Sequence, residues 1–274
     1  MCTRVNTVVG KVGLIGLGHL GRSLVRAMLK NGLAAENLLL AHRGGANAAA
    51  AVRGLGLEAC AVPAERLVEM SDTVILAVRP QDALSLPIGR FRAGTLVVSA
   101  MAGLSAELLS SALGVQVQRM MCSGPDTIDG GFGVSSFCAE PAAEKAIEKL
   151  LRLCGLDILQ VSSEAELDAF TVGICIPALT RATGCSRSVR AAITGMSRDY
   201  PVYASLGRWL RASAPQACTE PGRVATRGGV AEIMISRLNS GASLEAALRT
   251  GIERGREIAA EVSCDIDAAA RRAG

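Results

Sequence analysis

The chain has 274 residues, half of them hydrophobic but only 3% aromatic, and a formal net charge of +4. That length suits one large or two medium domains with a core of Ala, Leu, Val and Ile. The charge is mild and spread along the chain with no basic run among aromatics, which argues against a nucleic-acid partner.

No stretch reaches the roughly 18 uninterrupted apolar residues of a membrane helix, so no membrane partner is expected. The N-terminus lacks the basic, apolar and small-residue layout of a signal peptide, and the expected location is the cytoplasm. Nine cysteines are scattered from Cys2 to Cys264 with no Cys-x-x-Cys pair. They read as reduced core residues rather than a disulfide framework, and no metal site is expected.

The first element is an apolar run, Val12, Leu14 and Ile15, that ends in Gly16-Leu17-Gly18-His19-Leu20-Gly21. A helical stretch follows through Leu24, Val25, Met28 and Leu29. Strand, glycine turn and helix in this order form the dinucleotide-binding fingerprint. Gly16 permits the turn, Gly18 admits a pyrophosphate, and Gly21 lets the helix pack close to the strand. The helix N-terminus then directs free N–H groups at the phosphates.

Asn37–Ala41 reads as the second strand, ending in His42-Arg43-Gly44-Gly45. An NAD site commonly places Asp or Glu about 20 residues past the glycines, to hold the ribose 2′-hydroxyl. Here the position offers Arg43 with His42 beside it, and an arginine can pair with a 2′-phosphate through two hydrogen bonds. NADPH is therefore the expected cofactor ahead of NADH.

The alternation continues with a short strand at Glu58–Val62, a helix at Pro63–Met70 and an apolar strand at Thr73–Val78. Thr95–Met101 is another strand, and Ser105 is placed to cap the helix after it. Val115–Met121, Gly133–Cys138 and Asp157–Val161 read as further strands, with a helix through Ala146, Ile147, Leu150 and Leu151 before the last. Repeated units of this kind predict an α/β fold with a doubly wound parallel sheet over residues 1–162. Such sheets bind ligands at the carboxyl ends of their strands. That singles out Ala77, Val78 and Arg79, then Met101 and Ala102, then Cys122 and Ser123.

From about Ser163 strand-like runs stop. Glu164–Thr183, Ser186–Met196, Val202–Ala212, Gly229–Ser240 and Leu244–Ser263 all read as helices, with Ser243 as a cap for the last. Residues 163–274 are thus expected to form a helical domain. Its apolar segment Ala169–Leu179 looks hard to bury in so small a domain, which points to pairing of two subunits.

These motifs together resemble the pyrroline-5-carboxylate reductase family over nearly the whole chain. The glycine loop resembles that family's opening, and Leu76–Gln81 (LAVRPQ) is similar to its LAVKPQ segment. Ser99–Leu104 (SAMAGL) is similar to its S-x-x-A-G-I turn. Gly228-Gly229, Ala231-Glu232 and Gly251-Ile252-Glu253-Arg254 are similar to its PGG segment and closing helix. The resemblance implies a Rossmann domain, a helical domain through which two subunits interlock, and hydride transfer from a nicotinamide to the C=N carbon of a cyclic imine.

The departures fall on the substrate side. The family's MPNTP is Met121-Cys122-Ser123-Gly124-Pro125 here, and its SGSGP is Gly173-Ile174-Cys175-Ile176-Pro177. Its SPGGTT becomes Thr226-Arg227-Gly228-Gly229-Val230-Ala231, with Ala231 where a hydroxyl would reach the substrate. Cys122, Ser123, Cys175, Ile176, Gly228, Gly229 and Ala231 are accordingly the substrate-side candidates. Losing a designed hydrogen bond costs a factor of roughly 10⁴ or more in discrimination, so a different imine is expected as substrate.

The two His both precede residue 43 and none of the four Lys follows Lys149. Dehydrogenases of hydroxy acids need a base for the alcohol proton, and the β-hydroxyacid family places a Lys on the first long helix of its second domain. Glu164–Thr183 contains none. A cyclic imine can arrive protonated, so orientation alone can carry its reduction. The remaining proton donors are Thr171, Tyr200, Tyr203, Thr226 and Glu232, and Arg227 is placed to hold an anionic group; Thr171, Thr226 and Arg227 are taken as the catalytic candidates. An alternative reading is a paralogue that binds the dinucleotide without turnover, as a regulatory or partner protein; a hydroxyacid-type dehydrogenase ranks below it.

Overall fold

The computed structural model describes residues 10–44, 46–87, 90–213 and 229–273. Its frame is a seven-stranded sheet in the order β2-β1-β3-β4-β5-β6-β7. The strands are β1 (Val12–Ile15), β2 (Leu38–Ala41), β3 (Thr73–Leu76), β4 (Leu96–Ser99), β5 (Val117–Cys122), β6 (Val134–Cys138) and β7 (Asp157–Ile158). With β2 and β3 on opposite sides of β1, the chain reverses direction across the sheet at β1, where a crevice opens beyond the strand ends.

Both faces of the central strands are covered, which is why those strands are nearly continuous apolar runs. Helices α1 (His19–Lys30) and α6 (Pro141–Leu153) pack on one face, over Val12, Leu14, Leu40 and Ile75. Helices α3 (Ala64–Met70) and α4 (Ala106–Leu113) pack on the other, over Ile15, Val74, Leu76 and Val97. α1 buries Gly21, Leu24, Val25 and Met28, one stripe at helical spacing. Ser105 caps α4 as expected, its hydroxyl accepting from the Leu108 N–H at 3.1 Å, and Gly114 ends it at φ +67°.

Two local expectations are corrected. Glu58–Val62 is not a strand: Glu58–Cys60 forms a 3₁₀ turn, and only an isolated bridge joins Ala61 to Leu40. Pro63, which has no N–H for a ladder, stops any extension and serves as N-cap of α3. The sheet is also not wholly parallel, because β6 runs antiparallel to β5. Only residues 123–133 separate those two strands, fewer than the dozen or so that a parallel crossover needs. The link is the short helix α5 (Pro125–Asp129). The segment between β2 and the 3₁₀ turn holds α2 (Ala46–Gly54).

After β7 only helices follow among the described residues. The expected helix over 164–183 breaks into α7 (Glu164–Gly173) and α8 (Ile176–Thr183), because Pro177 cannot continue a helix begun before it. Gly173, at the break, lies where a Cβ would sit 2.6 Å from Leu206 Cδ1, so a side chain there would force the Leu206 methyl to shift. The others are α9 (Val189–Met196), α10 (Val202–Ser213), α11 (Val230–Asn239) and α12 (Leu244–Ala273). Glu166 ties α7 to α10, accepting from the Ser162 N–H and hydroxyl and from the Val202 N–H at 2.7–2.8 Å. Burial alone would raise the Glu166 carboxyl, but these three donors outweigh it and hold it below its usual range.

Ala169, Phe170, Val172, Ile176 and Leu179 are buried inside this helical core, so the apolar segment expected to need a second subunit is covered by its own chain. α12 joins the two halves: Ala247, Leu248 and Ile252 lie in the helical core, while Ile258 and Val262 lie against the sheet. Among the described residues no helix is long and apolar enough to cross a membrane.

Candidate functional site

The glycine loop leaves β1 as the sequence requires. Gly16 has φ +110°, and a Cβ there would stand 2.5 Å from the Ala77 carbonyl, so a side chain is barred by both backbone and space. A Cβ on Gly21 would stand 2.0 Å from the Gly16 carbonyl, which makes this glycine the contact between α1 and the loop. Gly18 differs: no protein atom lies within 4 Å of its would-be Cβ. The space beside it is open, as the approach of a dinucleotide needs.

Leu17 and Leu20 anchor the loop by packing into the α1 face of the core. The first turn of α1 has no acidic residue and no side-chain cap. It carries His19 and Arg22 instead, with Arg22 donating through Nε to the Gly18 carbonyl at 3.2 Å. A cation at a helix N-terminus opposes the macrodipole, and an anion bound there relieves both. Arg22 was missed from the sequence, although it directly follows the last glycine of the motif.

At the end of β2 the His42 Nδ1 accepts the Gly44 N–H at 3.0 Å, shaping the turn that displays Arg43. Arg43 Nη2 lies 2.6 Å from Asp82 Oδ2, and Arg79 Nε lies 3.2 Å from the same oxygen. Asp82 belongs to the 3₁₀ segment Pro80–Ser85 that follows β3. The two arginines singled out from sequence thus meet, and an aspartate that sequence reasoning passed over holds them together.

A cavity of about 210 Å³ lies between the two halves of the chain. Arg79, Gln81 and Ala102 line it from the sheet side; Thr171, Cys175, Gly229, Ala231 and Gly255 line it from the helices. Gly255 of α12 and Gly103 of the loop after β4 let these walls meet: a Cβ on Gly103 would stand 2.9 Å from the Gly255 carbonyl. Met101 is buried below, its N–H bonded to Ser99 Oγ at 3.2 Å, and Ala77 and Val78 pack on opposite faces of the sheet.

Thr171 donates its hydroxyl to the Leu167 carbonyl at 2.8 Å, so the oxygen is left to accept a hydrogen bond from the cavity. Burial pushes the Cys175 thiol up to about 12, which keeps it protonated and unreactive at neutral pH. No His or Lys lines the cavity among the described residues. The lysine that a hydroxyacid dehydrogenase would carry on α7 is absent as well.

Three of the substrate-side candidates, Cys122, Ser123 and Ile176, do not line this cavity. Cys122 faces the α1 side of the core in the same cluster as Cys154, and its burial raises the thiol to about 12. The Ser123 hydroxyl is fully buried and occupied by Thr127 Oγ1 at 2.6 Å and the Val134 N–H at 2.9 Å. The cause is the antiparallel return of β6, which closes over the end of β5. Ile176 is buried in the helical core and borders a separate groove of about 640 Å³ between α8, α9 and α10. Thr226, Arg227 and Gly228 lie outside the described residues.

Residues 11–103, which span the glycine loop and the first four strands, match the family described as NADP oxidoreductase, coenzyme F420-dependent. No curated protein matches the chain. Solved structures share its fold. The pyrroline-5-carboxylate reductase of Coxiella burnetii is 19% identical with a TM-score of 0.61, covering 91% of this chain and 98% of its own. The NADP-bound pyrroline carboxylate reductase of Plasmodium falciparum is 17% identical with a TM-score of 0.59, covering 91% and 98%. The enzyme of Streptococcus pyogenes is 17% identical with a TM-score of 0.59, covering 90% and 98%.

Proposed function

We propose that this chain, which has the fold of the pyrroline-5-carboxylate reductases, is an NADPH-dependent reductase of a cyclic imine other than pyrroline-5-carboxylate. The observation that carries the reading is the cavity between the halves. Arg79 and Ala102 at the strand ends meet Thr171, Cys175, Gly229 and Ala231 there, with no general base among the lining residues.

The fit to a dinucleotide rests on the Gly16–Gly18–Gly21 cradle, the uncapped start of α1 and the Arg43–Arg79 pair. When bound, the reduced cofactor supplies a hydride for the C=N carbon. The chain's own part is positional. Ala102, Gly229 and Ala231 give the cavity a small, apolar wall, and the Thr171 oxygen accepts the N–H of a protonated imine. Such orientation can contribute about 7–11 kcal/mol to catalysis without a proton relay. A volume near 210 Å³, shared with the nicotinamide ring, restricts the imine to a small ring.

The test is NADPH oxidation by the purified protein, offered pyrroline-5-carboxylate, piperideine carboxylates and cyclic imines without a carboxylate. Turnover of the plain imines above the carboxylates is the expected result. Tight NADPH binding with no turnover across the panel would favour the non-catalytic paralogue instead. Efficient turnover of pyrroline-5-carboxylate would show that the altered motifs do not change the substrate. A cytoplasmic homodimer paired through the helical half belongs to the same proposal, with the groove between α8, α9 and α10 as a surface for it.

A further inference from the structure

The sequence has no acid at the end of β2, yet the fold delivers one there from elsewhere. Asp82, on the 3₁₀ segment after β3, reaches Arg43 at 2.6 Å. Its side chain is 14% exposed, against 58% for Arg43 and 69% for Arg79, so the carboxylate is the sheltered partner and both arginine side chains face solvent. Both arginines take the same oxygen, Oδ2. Oδ1 has no partner among the described residues.

We propose that Asp82 is a specificity-determining residue for the cofactor: its carboxylate receives the ribose 2′-hydroxyl of NADH and weakens the preference of Arg43 for the 2′-phosphate of NADPH. The inference rests on the dinucleotide reading above. The chemistry is complementary. A 2′-hydroxyl can donate to Oδ1 and leave the ion pairs in place, the usual role of an acid at this position. A 2′-phosphate must take Arg43 from Oδ2 and sit beside a negative charge, which offsets part of its own gain. Arg43 and Asp82 thus act in opposition, and the balance between the two cofactors is set by a residue about 40 positions beyond the arginine.

Calorimetric titration of the full chain with NADP⁺ and with NAD⁺ tests this without recourse to activity. Asp82→Asn keeps the shape and removes the charge. The ratio of the two affinities should move toward NADP⁺ by about tenfold or more, the scale of one hydrogen bond to a charged group. Asp82→Ser, which also releases the arginines, should move it the same way, and serves if the first variant does not fold. Arg43→Gln should move the ratio toward NAD⁺. A ratio unchanged in both Asp82 variants, or shifted toward NAD⁺, overturns the proposal while leaving the dinucleotide reading intact. Wild-type protein that binds neither nucleotide overturns both.

Discussion

Gly21→Ala is expected to lower both stability and dinucleotide affinity, whereas Gly18→Ala should lower affinity alone. A Cβ on Gly21 would meet the Gly16 carbonyl at 2.0 Å and Leu14 Cδ2 at 3.1 Å. Neither backbone nor packed leucine can yield that distance locally, so α1 must move off β1. Overpacking of this kind costs about 1–3 kcal/mol. The movement also carries the first-turn N–H groups away from the phosphates they would bind.

Gly18 is the control. Its φ of −70° and ψ of −166° suit any residue, and its would-be Cβ meets no protein atom within 4 Å. Alanine there should fold as the wild type does and intrude only on a ligand. Thermal unfolding and NADPH titration of both variants check the contrast. Equal affinity for NADPH in Gly18→Ala and wild type would mean that the open space is not the pyrophosphate site.

Arg119→Met is expected to destabilise the protein by about 3–5 kcal/mol, the cost of breaking a buried ion pair from one side. Arg119 sits on β5 with its side chain 1% exposed. Its two Nη atoms reach Glu164 Oε2 and Asp168 Oδ1, each at 2.9 Å. Both acids stand on α7, so one guanidinium fastens the helical half to the sheet. Glu164 adds a second tie by accepting the Ala106 N–H at 3.0 Å. Without the arginine, two carboxylates one helical turn apart face each other in a half-buried site.

The triple variant Arg119→Met, Glu164→Gln, Asp168→Asn should recover much of that loss, because an uncharged replacement of a whole buried network is often near neutral. Urea unfolding followed by circular dichroism separates the two cases. A loss below about 1 kcal/mol in the single variant would show that Arg119 does not hold the halves together.

The motifs that were legible in the sequence depend on local rules. Gly16 announces a turn because few residues tolerate its backbone, Gly18 and Gly21 mark places where a side chain would block a ligand or a close contact, and Ser105 announces a cap because its hydroxyl bonds within its own turn. What escaped depends on contacts between distant segments. The antiparallel β6 follows from a short connection, and it buried Ser123 and Cys122, which sequence placed beside the substrate. Asp82 carries no local signal, since its role comes only from β3 lying beside β1 and carrying the next segment to the end of β2. Arg119 did leave one trace: a charge in an otherwise buried strand, with acids four residues apart downstream. Cys175, Gly229 and Ala231 were named from a resemblance and Thr171 from the inventory of proton donors; all four line one cavity, while Ile176, next to Cys175 in sequence, faces another.

The central claim is that the glycine loop and the cavity between the halves form one site. A crystal structure of the protein grown with NADP⁺ tests it most directly. The expected result has the pyrophosphate against Gly18 and the nicotinamide ring in the cavity, between Ala102 and Thr171. A nicotinamide held outside that cavity, or no bound dinucleotide at saturating concentration, would contradict the account.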